Sequence, residues 1–463
     1  MSADRPTLVV VGGGIAGLAA AWEATRSGAV DVTVLEADDR LGGRIRTSDV
    51  HGLTIDEGAD AFLARVPWGI ELCRELDLTD DLVSPAARNA FIYSRGDLRP
   101  LPATQVLGVP LDLDELAGTG IVSDAGLTEA RQVIESAGPE TTDDTIAAVL
   151  ERQVGAEVAT RLVDPLIGGI NAGDTTRLSL RAVVPQLAAA AEHPDGLVAG
   201  LRELRELTPP DPTAPVFYGL PEGSGRLIEV LGRRLEDAGA TIRTSSPVNA
   251  LLRTADGAFR LGVGHESEET VDADRVVLAT AAPVTAGLLA ASAPDSADAL
   301  ATIDHASVAM ITLIVAAGDV GRPLDGSGFL IPQPEGLDVT ACSWASSKWA
   351  HLGDADTVVL RASLGRAGSA AVLDLDDPGL VEIVRRDLGV AMDLGGDPLA
   401  VRVGRFPQSF PQYAPGHLDL VEQLEHDLTD RLPGLAVAGW TYRGIGIPAS
   451  IHSGREAARH LLA

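Results

Sequence analysis

The stretch TLVVVGGGIAGLAAAWEATRSGAVDVTVLEADDRLGGRIRT, residues 7–47, decides the fold. It opens with an apolar run, passes through a glycine-rich turn into an alanine-rich segment, and returns to a second apolar run at 31–37. A strand, a turn, a helix and a strand in this order predict a βαβ unit with parallel strands. We therefore expect an α/β fold that begins with a Rossmann-like domain.

The glycines of this turn have the spacing of a dinucleotide-binding fingerprint. Gly12, Gly14 and Gly17 permit a tight turn, a close approach of the backbone to a pyrophosphate, and close packing of the helix. The helix N-terminus then directs unpaired N–H groups at the phosphates. Glu36 closes the second strand, where it can accept hydrogen bonds from ribose hydroxyls, and this disfavours NADP. The alternative is a glycine-rich turn that binds nothing.

Two further segments favour FAD over NAD. Gly43 and Arg44 form a second glycine turn that can bring an arginine toward the pyrophosphate or the isoalloxazine ring, a surface ion pair being the alternative. Near the C-terminus, Gly444 and Gly446 precede a helix whose positive end would stabilise the negative charge of reduced flavin. An ordinary packing helix is the alternative there. The run IDEGADAFLARVP at 55–67 adds a third glycine-led turn that can face the flavin.

Composition excludes several classes of function. A net charge of -30 would repel nucleic acid and anionic lipid headgroups. Cys73 and Cys342 are the only cysteines and lie far apart, so neither a disulfide framework nor a metal site is indicated. The N-terminus lacks a basic leader, and the apolar run at 8–22 is too short to span a bilayer. The cytoplasm is the expected location.

A chain of 463 residues is expected to form several domains. Elements typical of nucleotide-binding domains occupy both ends and the middle of the chain. Alanine-rich helical stretches lie between the N-terminal and the middle elements, and alternating strand patterns lie between the middle and the C-terminal elements. We expect a discontinuous FAD-binding domain with an inserted α+β substrate domain and a helical subdomain. TPPDPTAP at 208–215 is the expected linker. The expected boundaries are 1–84, 213–298 and 409–463 for the FAD domain, 85–212 for the helical and substrate region, and 299–408 for the antiparallel sheet.

Motifs spread along the chain carry a family resemblance. They are GGINAGDTTRLSLRAVVPQL from Gly168, LPEGSGRLIEVL from Leu220, SWASSKW from Ser343, FPQYAPGHL from Phe410 and YRGIGIPASIHSG from Tyr442. With the glycine turns, they make the chain resemble the oxygen-dependent protoporphyrinogen/coproporphyrinogen oxidase family, a branch of the flavin amine oxidase group, over nearly its whole length.

The resemblance implies a set of site residues. Arg65, by itself a solvated arginine, matches a position where the family places an arginine near substrate propionates. Asn171 stands where relatives carry Tyr or Phe against the tetrapyrrole, so a hydrogen bond is expected instead of stacking. Phe406 stands where many relatives carry a tryptophan against the flavin. Trp440 stands where relatives often carry a small or polar residue. The implied cofactor contacts are Gly12, Gly13, Gly14, Ile15, Ala16, Gly17, Glu36, Ala37, Gly43, Arg44, Gly58, Ala59, Asp60, Ala61, Val248, Phe406, Gly439, Ile445, Gly446 and Ile447.

The implied reaction is oxidation of a porphyrinogen in two-electron steps, with hydride passing to flavin N5 and O2 reoxidising the flavin to give hydrogen peroxide. Coproporphyrinogen III is the preferred substrate. Protoporphyrinogen IX, another amine oxidase or desaturase reaction, and a non-enzymatic porphyrin-binding scaffold are the alternatives. No catalytic acid or base is assigned, and His452 is the one histidine worth testing. The resemblance also implies a downstream ferrochelatase as partner, and the acidic segment 102–146 predicts weak or absent membrane association.

Overall fold

The computed structural model describes residues 5–209, 211, 213–264 and 269–463. Pro210 and Pro212 of the expected linker lie outside the described residues.

The strands are numbered in chain order. They are β1 Thr7–Val11, β2 Asp31–Leu35, β3 Thr47–Val50, β4 Leu53–Asp56, β5 Phe62–Leu63, β6 Phe91–Ser94, β7 Asp97–Pro100, β8 Gln105–Val106, β9 Val109–Pro110, β10 Phe217–Tyr218, β11 Thr241–Arg243, β12 Val248–Arg253, β13 Phe259–Val263, β14 Glu269–Ala273, β15 Arg275–Leu278, β16 His305–Ala316, β17 Gly328–Leu330, β18 Val339–Trp344, β19 Thr357–Leu364, β20 Ala400–Pro411 and β21 Leu435–Val437.

The α-helices are numbered in the same way, and a π-helical turn at Ala159–Val163 leads into α7. They are α1 Ile15–Ser27, α2 Pro67–Glu75, α3 Leu113–Thr119, α4 Asp124–Ser136, α5 Ile146–Val154, α6 Ala156–Val158, α7 Asp164–Asn171, α8 Leu180–Val183, α9 Pro185–Ala191, α10 Gly196–Leu207, α11 Gly225–Asp237, α12 Ala282–Leu289, α13 Pro294–Ala301, α14 Ala345–Lys348, α15 Asp377–Met392, α16 His417–Arg431 and α17 Ile447–Leu462.

A five-stranded parallel sheet in the order β11-β2-β1-β15-β21 forms the first layer. Its strands come from the start, the middle and the end of the chain, which confirms the Rossmann-like, discontinuous α/β fold. Strand β1 alternates between two cores: Leu8 and Val10 pack toward α1, α11 and α17, whereas Val9 and Val11 pack toward α12, α13 and α16. Both faces of the sheet are therefore covered, as in other parallel sheets.

A seven-stranded sheet in the order β20-β16-β19-β18-β17-β6-β7 forms the second large layer. The pairs are antiparallel except for β17 with β6, which is parallel. Strands β6 and β7 come from the stretch that the sequence places with the helices, and they extend this sheet through the pairing of β6 with β17. Strand β20 continues past residue 408, so this sheet is not confined to 299–408. Helix α15 covers one face and leaves the other turned toward the Rossmann-like domain.

Helices α3 to α10 pack around an apolar core of their own. Leu116, Leu150, Leu162 and Leu187 are among its fully buried side chains. No α-helix within the described ranges has both the length and the apolar character that crossing a bilayer requires. The helical subdomain touches the seven-stranded sheet through α7, which lies next to β17 and β18.

Candidate functional site: a flavin cradle and an adjoining sheet face

Close backbone contacts shape the glycine loop between β1 and α1. Gly12 donates its N–H to the Leu35 carbonyl at 2.8 Å and has a φ of +107°, which favours glycine. A Cβ added to Gly17 would lie 1.9 Å from the carbonyl oxygen of Gly12. A Cβ added to Gly14 would instead meet open space at the N-terminus of α1. The unpaired N–H groups of that first turn are available to an anion.

Glu36 ties the end of β2 to this loop. It is buried, and its carboxylate accepts the Gly13 N–H at 2.5 Å and the Asp38 N–H at 2.8 Å. The Glu36 carbonyl accepts the Ser246 N–H at 2.8 Å, which brings the chain before Val248 to the same place. Since each carboxylate oxygen has further lone pairs, Glu36 can also accept hydrogen bonds from a ribose.

The second glycine turn lies directly against the first. Gly42 donates to the Gly13 carbonyl at 2.8 Å, and a Cβ added to Gly43 would lie 3.5 Å from Gly14 Cα. The next residue, Arg44, is thereby placed beside the open end of α1. The two turns that the sequence singled out form one continuous surface.

Arg44 stacks on Trp440, with its guanidinium carbon 3.6 Å from the ring centroid. It also donates to the Gln408 carbonyl at 3.1 Å, and within the described part of the chain no carboxylate pairs with it. Burial lowers the pKa of Arg44 to about 10. A desolvated cation without an anionic partner is costly, so this position favours an anion such as a phosphate or a carboxylate.

Helix α17 is docked against α1 at the glycine loop. A Cβ on Gly454 would lie 2.0 Å from the Ala16 carbonyl oxygen, so the two backbones are in contact. Gly439 has a φ of +121°, donates its N–H to Ser453 Oγ at 2.9 Å, and would place a Cβ 4.0 Å from the Ala16 Cβ. The N-terminal glycine loop and the C-terminal helix therefore meet, as the sequence predicts for a flavin site between them.

A tyrosine holds the turn that leads into α17. The Tyr413 hydroxyl donates to the Trp440 carbonyl and accepts the Gly444 N–H at 3.1 Å. Burial raises the pKa of Tyr413, so the hydroxyl keeps the proton it donates. The turn then passes through Ile445 and Gly446, whose φ of +98° favours glycine, into the first residue of the helix.

The third turn, Gly58 to Ala61, is fastened to the seven-stranded sheet. Arg361 of β19 donates to the Gly58 carbonyl and pairs with Asp60 at 3.1 Å. Lys348 Nζ lies 3.0 Å from the same carboxylate, and Trp349 Nε1 donates to it at 2.9 Å. Burial opposes ionisation, but the charges of Lys348 and Arg361 outweigh it and hold the pKa of Asp60 well below its usual range. The Asp60 side chain and the Gly58 carbonyl are thus both engaged by the sheet.

The uncovered sheet face carries a row of register partners that we call the platform: Gly404, Met310, Ser363, Ala341 and Leu330. Phe406 stands at one end of it, because a Cβ on Gly404 would lie 3.1 Å from the Phe406 ring. A Cβ on Gly58 of the third turn would lie 3.4 Å from the same ring. The other end opens into a cavity of about 360 Å³. Platform and third turn therefore face each other.

Apolar side chains line most of this cavity, with Lys348 and Arg88 as its cations; the apolar members include Pro85, Pro215, Val216, Phe217, Phe329, Leu330 and Ala341. Arg65 lies near its rim, since Ala64 donates to the Val216 carbonyl at 3.0 Å. The Arg65 side chain is exposed and makes no hydrogen bond or ion pair with any described residue. The sequence did not indicate Lys348, although it is the single lysine of the chain.

Asn171 is the buried last residue of α7. Its side-chain nitrogen donates to the Ile167 carbonyl at 2.8 Å, and its own carbonyl accepts from Gln412 at 3.3 Å. Asn171 is thereby placed next to β20, on the platform side of the helical subdomain, and not at the glycine loop.

Two histidines lie near the cradle. His452, the one that the sequence singled out, stacks on Trp68 with the ring centroids 4.0 Å apart. His305, which no motif marked, begins β16 near Arg44, and its buried Nε2 has no hydrogen-bond partner among the described residues. Burial and the Arg44 charge lower the pKa of His305. A neutral imidazole there leaves Arg44 as the local positive charge.

These residues fit a bound FAD. An open helix N-terminus, an acidic strand end and a stacked, unpaired arginine match a pyrophosphate flanked by a ribose. The glycines at 439 and 446 leave main chain uncovered where a planar ring could approach, and the positive end of α17 points to that place.

Comparison with known proteins agrees with this geometry. The model of the family "Flavin containing amine oxidoreductase" matches residues 15–462. A coproporphyrinogen III oxidase of Staphylococcus aureus (strain NCTC 8325 / PS 47) is 30% identical, with 99% of each chain covered. One of Mycobacterium leprae (strain TN) is 35% identical, with 98% of each chain covered. A crystal structure from Exiguobacterium sp. 255-15, provisionally named a protoporphyrinogen oxidase, is 31% identical over 100% of both chains, with a TM-score of 0.88.

The family match covers far more than half of the chain, and the full-length relatives confirm the family suggested by the motifs. The fold, the two meeting termini and the three glycine turns all agree with it. This chain therefore belongs to the flavin-containing amine oxidoreductase family.

Proposed function

We propose that this FAD-dependent oxidoreductase converts coproporphyrinogen III into coproporphyrin III. The observation that carries the proposal is the arrangement of the platform: a flat sheet face runs from the flavin-facing turn into an apolar cavity with cations at its margin. A flat macrocycle with carboxylate arms matches that shape and charge. The relatives named coproporphyrinogen III oxidase, which align over the full length, support the same substrate.

The cofactor contacts are part of this proposal. We assign the pyrophosphate to the loop Gly12 to Gly17 together with Gly43 and Arg44, and the adenosine to Glu36, Ala37 and Val248. The main chain of Gly58 to Ala61, Phe406, Gly439 and Ile445 to Ile447 is assigned to the isoalloxazine ring. When bound, FAD accepts the electrons that the porphyrinogen loses. The protein itself holds the substrate flat against that ring and excludes water.

Arg65 is assigned to a substrate carboxylate because it lies beside the cavity with no partner among the described residues. Asn171 is assigned to the edge of the macrocycle through its side-chain oxygen, since its nitrogen is bonded within α7. No side chain at the platform is assigned as an acid or base. We further propose O2 as the electron acceptor, with hydrogen peroxide as its product, and the cytoplasm as the location.

The name of the Exiguobacterium relative makes protoporphyrinogen IX the second candidate substrate. An anaerobic titration of the yellow holoenzyme with each porphyrinogen separates the two, because only a substrate bleaches the flavin absorbance. We expect bleaching at lower concentrations of coproporphyrinogen III, and porphyrin fluorescence after air is admitted. Fluorescence that never exceeds the autoxidation blank would reject both tetrapyrroles. Flavin that neither compound bleaches would favour a binding role.

A further inference from the structure

Arg366 lies beside the platform and is a cation without a partner among the described residues. It lies three positions after Ser363, beyond the turn at Gly365, where β19 has ended. In the part of the chain that the structure describes, no hydrogen bond or ion pair reaches its guanidinium group. Burial lowers the pKa of Arg366, and the charges of Asp164 and Asp174 oppose this shift only in part. The side chain is therefore desolvated without being neutralised.

The two aspartates nearest to Arg366 are committed to other donors. Asp164 accepts the Thr175 hydroxyl at 2.7 Å, and its pKa is raised by burial. Asp174 accepts both the N–H and the hydroxyl of Thr176, at 2.9 and 2.6 Å. Neither carboxylate lies within 4.0 Å of the arginine. A half-buried guanidinium in this state favours a further anion, which its planar fork can bind through two hydrogen bonds.

The backbone on both sides of Arg366 is held by close contacts. Gly365 has a φ of +94°, and a Cβ there would lie 2.6 Å from the Ser307 carbonyl oxygen, so this turn requires glycine. Ala367 donates to the Ala172 carbonyl at 2.8 Å, directly after Asn171. Ala367 also packs on the small apolar cluster that contains Ala172 and Phe406. Arg366 therefore stands between the end of α7 and the platform, on a rigid turn.

We infer that Arg366 is a specificity-determining residue that binds one carboxylate arm of the tetrapyrrole at the margin of the platform. This inference rests on the proposed function. Coproporphyrinogen III has four such arms, whereas protoporphyrinogen IX has two. An arginine that holds an additional arm favours the tetracarboxylate over the dicarboxylate without taking part in the transfer of electrons.

The test compares Arg366→Gln and Arg366→Lys with the wild-type holoenzyme. Arg366→Gln is expected to raise the KM for coproporphyrinogen III about tenfold to hundredfold, because a charge-assisted pair is lost. kcat should stay within about threefold, and the KM for protoporphyrinogen IX should change less than that for coproporphyrinogen III. Binding of the stable product coproporphyrin III, followed by its fluorescence, should weaken by the same factor as KM. The KM and product affinity of Arg366→Lys should lie between those of wild type and Arg366→Gln. Lysine keeps the positive charge but lacks the planar guanidinium group that can bind a carboxylate through two hydrogen bonds.

Arg177→Gln is the matched control, since it removes the same charge from the adjoining loop. Arg177 is exposed and already paired with Asp304, so its loss should leave KM and product affinity unchanged. Flavin absorbance and melting temperature establish that each variant is folded. Unchanged KM and product affinity in Arg366→Gln, or equal losses for both porphyrinogens, would overturn the inference while the proposed function stands. A wild-type enzyme that does not bind coproporphyrin III and does not oxidise its porphyrinogen would overturn both.

Discussion

Gly454 in α17 lies against the main chain of Ala16 in α1, so closely that a Cβ on Gly454 would lie 2.0 Å from the Ala16 carbonyl oxygen. This contact joins helices that begin more than 400 positions apart in sequence. It sets the position of the positive end of α17 relative to the glycine loop. The cradle for FAD therefore depends on a packing contact made by a residue outside every glycine turn.

Gly454→Ala is expected to lower the free energy of unfolding by about 1–3 kcal/mol, because the added methyl group has no space. It should also release FAD, since α17 must move away from α1. Chemical denaturation and the flavin content of the purified protein measure the two effects. Gly287→Ala in α12 is the control: a Cβ there meets no atom of the described residues within 4 Å, so stability should stay the same or rise. Equal behaviour of the two variants would contradict the prediction.

Lys348→Met is expected to lower the free energy of unfolding by about 3 kcal/mol near neutral pH, because Asp60 loses one of its two cations in a buried cluster. The pKa of Asp60 is lowered in the folded protein, so its stabilisation is complete above the ordinary aspartate value of 3.8 and is lost as the pH falls below it. The difference between wild type and variant should therefore shrink from about pH 5 to about pH 3. Denaturation at several pH values checks this, and a difference independent of pH would count against it.

Tyr413→Phe should loosen the turn that leads into α17, because the Trp440 carbonyl and the Gly444 N–H both lose their partner. We expect a loss of about 1–3 kcal/mol in stability and weaker retention of FAD. Dialysis against buffer followed by flavin absorbance measures the retention. Tyr93→Phe is the control, since the Tyr93 hydroxyl makes no hydrogen bond to the described residues. If Tyr413→Phe keeps its flavin as firmly as that control, the hydroxyl does not hold the turn.

Trp440→Ala should free Arg44 from the ring on which it stacks, at a cost of about 0.5–2 kcal/mol. The FAD dissociation constant should rise by the corresponding factor, from about twofold to about thirtyfold. Trp440→Phe, which retains an aromatic face, should lose less. Fluorescence of released flavin during dilution provides the measurement. An unchanged dissociation constant in Trp440→Ala would show that Arg44 needs no such support.

Several features could be predicted from the sequence because they depend on neighbours along the chain. The spacing of Gly12, Gly14 and Gly17 and the strand patterns on either side are local signals for a βαβ unit, and the structure confirms that unit. The same holds for the buried face of α11 and for α17 with its preceding glycines. Strand pairing was harder to predict, because β6 pairs with β17 although the helical subdomain separates the two strands along the chain.

By itself the sequence determined the α/β class and the FAD cofactor, since the glycine spacing and the hydrophobic periodicity that indicate them are properties of short stretches. The family followed from the resemblance of motifs along the chain. Only the tertiary structure decided which side chains are neutralised. Asp60 pairs with Lys348 and Arg361, whereas Arg366 has no such partner among the described residues. The physical reason is that burial and ion pairing depend on residues hundreds of positions apart in sequence. A local sequence pattern therefore does not show whether a buried cation has an anion beside it.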